Sequence, residues 1–157
     1  MKANSVVQVY FSGLLLLQSS LATGISTTQL DTFSDGTLQG WAMGVTGITN
    51  THMTNIANGG PAEAGDNYLG VISDNTTVPG GRLTFFNQPH WTGDYLSAGI
   101  TSIAMDLKNF SSTGILNLRL AIEGGTIVTV GGFFATDASV ILASGSDWTR
   151  VVFSLAP

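Results

Sequence analysis

The sequence predicts an all-β fold, a two-sheet antiparallel β-sandwich of the jelly-roll type, and three observations predict it. From Ile100 to Asn109, apolar Ile103, Met105 and Leu107 alternate with Ala104, Asp106 and Lys108. A period of two places one face in a core and the other in water. The same rhythm returns from Ile115 to Glu123, where Leu116, Leu118, Leu120 and Ile122 alternate with Asn117, Arg119, Ala121 and Glu123. Twenty glycines among 157 residues, with abundant Thr, Ser and Asn, supply frequent turns, and no helix-length amphipathic pattern follows Ala22.

Residues 1–22 read as a secretory signal peptide. Lys2 gives a positive start, Val6 to Leu17 an apolar run, and Ser20-Leu21-Ala22 small residues for a signal peptidase. The run is well short of the roughly 20 residues that span a bilayer, so no membrane span is expected in the mature chain. Residues 23–30 read as a flexible leader rich in Thr and Ser, and 31–157 as the sandwich domain. Loss of Lys2 leaves four basic residues against ten acids, which disfavours nucleic acid and anionic membrane surfaces as partners. There are no cysteines, so an oxidising destination is neither exploited nor contradicted, and a domain of this size buries roughly two-thirds of its unfolded surface, so a core can hold it without disulfides.

The strands follow in order. Leu30 to Phe33 is closed by Ser34-Asp35-Gly36, and a second short segment surrounds Trp41 and Met43. Residues 44–66 read as a long loop with one edge strand, then Asn67 to Ser73 and Arg82 to Asn87 flank a turn holding Pro79-Gly80-Gly81. Gln88 to Gly99 is an irregular loop with one helical turn, followed by the strand Ile100 to Asn109. Ile115 to Glu123 and Thr126 to Phe134 form a hairpin about Gly124-Gly125. Ala138 to Ala143 and Trp148 to Leu155 complete the set. The chain stops at Ala156-Pro157 directly after a strand, so the expected sandwich lacks its last strand and offers an uncovered edge for self-association.

Four segments carry a resemblance: DTFSDGTLQGW at 31–41, GGPAEAGDNYL at 59–69, PGGRLTFFNQPHWTGDYLSAGITSIAMDLKN at 79–109 and SGSDWTRVVFSL at 144–155. On these the chain resembles bacterial exported proteins with a laminin-B-like, carbohydrate-binding-module-like sandwich. The resemblance implies a jelly-roll fold and a secreted or cell-envelope setting, and it brings no catalytic residues with it.

Candidate sites are few. Asp31, Asp35 and Asp66 sit in or beside Gly-rich turns, where oxygen ligands on flexible segments suit a structural calcium ion. The bland reading is that each caps its own turn, and Asp35-Gly36 fits that well. Among the aromatics, Trp41 and Trp148 read as core. Trp91 sits between His90 and Thr92-Gly93 in a loop expected to be exposed, so His90, Trp91, Asp94 and Tyr95 form the candidate ligand-binding set. An indole face matches the apolar face of a pyranose, and Asp94 offers an acceptor for sugar hydroxyls. Two histidines without zinc spacing, no thiol and no Gly-x-Ser-x-Gly elbow argue against catalysis. The triplets Asn75-Thr76-Thr77 and Asn109-Phe110-Ser111 match glycosylation sites and read as chance in a bacterial chain.

The expectation is a secreted non-catalytic domain that binds carbohydrate or another extracellular polymer. The rivals are a structural envelope or matrix component assembling through sheet edges and, as a minor alternative, a glycoside hydrolase-like enzyme.

Overall fold

The computed structural model describes residues 24–43, 52–73, 83–87, 90–123 and 133–155. The expected signal peptide, the Pro79-Gly80-Gly81 turn, the Gly124-Gly125 hairpin turn and Ala156-Pro157 lie outside the described residues. Among the described residues there are ten strands and no helix: β1 (Trp41–Met43), β2 (Met53–Ile56), β3 (Tyr68–Val71), β4 (Phe85–Asn87), β5 (Ser102–Leu107), β6 (Leu116–Leu118), β7 (Ala121–Glu123), β8 (Phe133–Ala135), β9 (Val140–Leu142) and β10 (Thr149–Ser154). They pair antiparallel, two by two: β1 with β4, β2 with β3, β5 with β10, β6 with β9 and β7 with β8. Among these residues no helix is long and apolar enough to cross a membrane.

The β5–β10 pair shows how the sequence rhythm becomes structure. Ile103 faces Phe153 and Met105 faces Val151 across the ladder, all four buried. The intervening residues point outward, where Arg150 Nη1 lies 2.9 Å from Asp106 Oδ2 at directly opposed positions. One hydrophobic cluster joins Phe33, Trp41 and Leu69 from the first half of the chain to Met105, Leu107 and Phe153 from the second. Both halves therefore share a single core.

Two elements differ from the sequence expectation. Leu30 to Phe33 is an unpaired segment rather than a strand, because Phe33 turns to φ +59°. Its N–H donates to Gln39 Oε1 at 2.9 Å, and its carbonyl accepts from Gly36 N–H and from the side-chain amides of Asn55 and Asn67. Side chains thus take the place of a neighbouring strand. The segment Ile115 to Glu123, expected as one strand, divides at Arg119-Leu120. There β6 ends its pairing with β9 and β7 begins its pairing with β8. The division is bridged by Arg119 Nη1 donating to the Thr136 carbonyl at 2.6 Å and by Thr136 N–H donating to the Leu120 carbonyl at 3.0 Å. The alternation survives: Leu116, Leu118, Leu120 and Ile122 pack against the core, while Asn117, Arg119 and Ala121 are exposed.

Trp148 belongs to a rim and not to the central core. Its ring meets Tyr68 edge-on at 5.4 Å, and its indole N–H donates to the Gly59 carbonyl at 3.0 Å. Phe110 and the Lys108 ammonium complete this cluster.

Candidate functional site

The loop between β4 and β5 is built from local capping. Asp94 Oδ1 accepts from Ser97 N–H at 3.0 Å and Oδ2 from the Ser97 hydroxyl at 2.7 Å, which starts a single turn. Gly99 ends it at φ +70°, donating to the Leu96 carbonyl, while Ile100 N–H reaches back to Tyr95. That double closure around a left-handed residue is the glycine-terminated stop of a helical turn. The Ser97 bonds hold the Asp94 carboxyl below its ordinary range. Tyr95 is half-buried, which pushes its phenol up, and its hydroxyl donates to the Trp91 carbonyl at 2.8 Å.

Residues 24–30, read from sequence as the leader, run against this loop. Ile25 is buried and its N–H donates to the Thr92 carbonyl at 3.0 Å. Gly93 lets the two backbones meet, since a Cβ there would stand 2.5 Å from the Ile25 nitrogen.

Between this segment and the start of β5 lies a half-open cleft of about 190 Å³. Its polar lining comes from Ser26, Thr27, Gln29, Thr101 and Ser102, and Trp91 forms an aromatic wall. Gly99, Ile100, Ile103 and Ala104 complete it, so none of the described residues lining the cleft is charged. The volume falls below the roughly 300–1,000 Å³ of sites for drug-sized ligands, which fits one ring or a short segment of a polymer.

Of the ligand-binding set expected from sequence, only Trp91 lines the cleft. Asp94 is spent on its own turn and Tyr95 on the Trp91 backbone. His90 stands behind the wall, its Nδ1 4.0 Å from Asp31 Oδ1. Ser26, Thr27 and Gln29 were legible only as a Thr- and Ser-rich leader. Nothing in their spacing announced a wall.

Asp31 is the unexpected member. Its side chain is almost fully buried, and Oδ2 accepts two indole N–H bonds, from Trp41 at 2.8 Å and from Trp91 at 2.7 Å. Asp35 accepts from both the N–H and the hydroxyl of Thr37 at 2.9 Å, the turn-capping arrangement, and these bonds lower its pKa. Asp66 Oδ2 accepts from Ala62 N–H at 2.8 Å within the 59–66 loop. Among the described residues no three His, Asp or Glu side chains converge as a group that could hold a metal ion. Asn109, the second glycosylation triplet's asparagine, is fully buried, and Asn75 lies outside the described residues.

Comparison with known proteins finds no family model, no curated protein and no solved structure that matches the chain.

Proposed function

We propose that the chain is an exported, non-catalytic binding domain of the jelly-roll sandwich type, which takes one ring of a neutral carbohydrate polymer in the Trp91 cleft. The observation that carries this reading is the cleft's composition: one tryptophan, several hydroxyl and amide side chains, and no charged side chain among the described lining residues. Hydroxyl and amide groups donate and accept without demanding a counter-charge, which matches the ring hydroxyls of a neutral sugar. The indole supplies an apolar face for the ring's own C–H face. A charged ligand would find no opposite charge among the described lining residues to offset its desolvation.

A glycan array probed with the purified protein, with and without a chelator, tests the reading. Retention on neutral glycans, weakened by Gln29→Ala, supports it. Retention confined to acidic glycans, or none at all, sinks it. The chelator arm reads the calcium dependence suggested by Asp31, Asp35 and Asp66, and reducing-end release from the same glycans would bring back the hydrolase alternative.

A second reading, assembly through sheet edges, is favoured by exposed Ile141 and Ile115 on and beside the β6–β9 pair. Light scattering separates it from the first, since a monomer across concentration removes it.

A further inference from the structure

The wall of the cleft is held from behind by a single carboxylate oxygen. Trp91 sits in a loop, where side chains ordinarily sample several rotamers. Its indole N–H donates at 2.7 Å to Asp31 Oδ2, and the same oxygen accepts from Trp41 Nε1 at 2.8 Å. Trp41 lies in β1, buried in the core and tilted against Phe85 at a ring separation of 5.7 Å. Asp31 therefore ties a loop tryptophan on one side to a core tryptophan on the other. Both bonds lie at the short end of the ordinary N–H···O range, and burial strengthens such bonds. Two donors converging on one oxygen anchor the N–H edge of each indole and so restrict the orientations open to Trp91, a lining residue of the cleft.

We infer that Asp31 is a positioning residue for the ligand: it touches no sugar, but sets the orientation of the Trp91 ring on which the sugar stacks. This rests on the carbohydrate reading of the cleft. The core alone gives this buried group one task, accepting the Trp41 indole N–H, and the bond from Trp91 gives it a second. An apolar residue of similar size would fill the space but remove the acceptor of both indole donors.

The test uses the full chain and four variants: Asp31→Asn, Asp31→Ala, Trp91→Phe and Trp91→Ala. Retention on the neutral glycan identified by the array is measured beside thermal melting. Indole N–H proton resonances are recorded for the three tryptophans. Trp91→Ala should abolish retention. Trp91→Phe keeps an aromatic face but loses the N–H, so retention should fall about tenfold. Asp31→Ala should match or exceed that loss, and Asp31→Asn, which keeps an acceptor oxygen, should recover part of it. In Asp31→Asn the Trp41 and Trp91 indole resonances should move, while that of Trp148, bonded to Gly59, stays in place. Should Asp31→Ala fail to fold, Trp91→Phe and Asp31→Asn carry the test unaided.

Retention by Trp91→Phe and Asp31→Asn equal to the unaltered protein, with Trp91→Ala inactive, overturns the positioning role alone. A lowered melting temperature with unchanged retention by the folded protein does the same, and marks Asp31 as purely structural. Absence of retention by the unaltered protein overturns the carbohydrate reading and the positioning role together.

Discussion

Gly93 and Ile25 are in backbone contact: a Cβ added to Gly93 would lie 2.5 Å from the Ile25 nitrogen and 2.7 Å from its Cγ2. No rearrangement of a flexible side-chain end relieves a clash with backbone. Gly93→Ala should therefore displace residues 24–30 from the loop and cost about 1–3 kcal/mol, the range for overpacking. Because the displaced segment carries one wall of the cleft, glycan retention should fall with stability. Melting curves and the array read both. Unchanged values in the two assays would show that this contact is not maintained.

Leu107 and Leu96 form a matched contrast. Leu107 is 1% exposed at the end of β5, whereas Leu96 is 89% exposed on the turn that Asp94 caps. Leu107→Ala should destabilise the protein by roughly 2–5 kcal/mol, through lost burial and the cavity left behind. Leu96→Ala should stay within about 0.5 kcal/mol of zero. Denaturant unfolding separates these values cleanly.

Asn109 is a buried polar hub. Its Nδ2 donates to the carbonyls of Gly114 at 2.7 Å and Leu142 at 3.3 Å, and its Oδ1 accepts from Ser111 N–H at 3.0 Å. Asn109→Asp keeps the shape but aims acceptors at two carbonyls. A loss of about 1–3 kcal/mol or more is expected in the melting curve, since a charged group is left facing acceptors. Asn109→Leu should cost less than Asn109→Asp if packing outweighs the polar network.

Acid and alkali should each remove a distinct contribution. Hydrogen bonds from Ser97 lower the Asp94 pKa, and those from Thr37 lower that of Asp35. Depressed carboxyl values contribute stability that is present above the ordinary value of 3.8 and lost as pH falls through the folded one. Burial raises the Tyr95 pKa, so its contribution is present below the ordinary value of 10.0 and lost as pH rises through the folded one. Melting temperatures should fall at both ends of a pH series. Asp94→Asn should flatten the acid limb and Tyr95→Phe the alkaline limb.

The strands with two-residue periodicity were the readable part of the fold. β5 and β10 announce themselves because Ile103, Met105, Val151 and Phe153 need only local alternation to specify a buried face. The unpaired stretch at Leu30 to Phe33 did not, since the backbone of Phe33 is held by the side chains of Gln39, Asn55 and Asn67 rather than by a neighbouring strand. The site was legible only through Trp91. Its neighbours His90, Asp94 and Tyr95 are grouped with it by proximity in sequence, and the lining of the cleft does not include them. The polar lining comes from Ser26, Thr27, Gln29, Thr101 and Ser102, with the 24–30 segment joined to the loop by the tertiary contact of Ile25 with Thr92. Asp31 reads as a candidate cation ligand because it is an acid near a turn. The two indole donors that meet it come from positions 10 and 60 residues away.

The longest ladder joins the middle of the chain to its final described strand, with Ser102 opposite Ser154 and Leu107 opposite Thr149. A nascent polypeptide emerging from a ribosome cannot close this ladder until residues 149–154 are free, so the apolar side of β5 waits without its mate until then. Loop closure over such separations is slow compared with local pairing. A truncation that removes Val151 and Phe153 takes away the residues paired with Met105 and Ile103 and uncovers that side of the shared core.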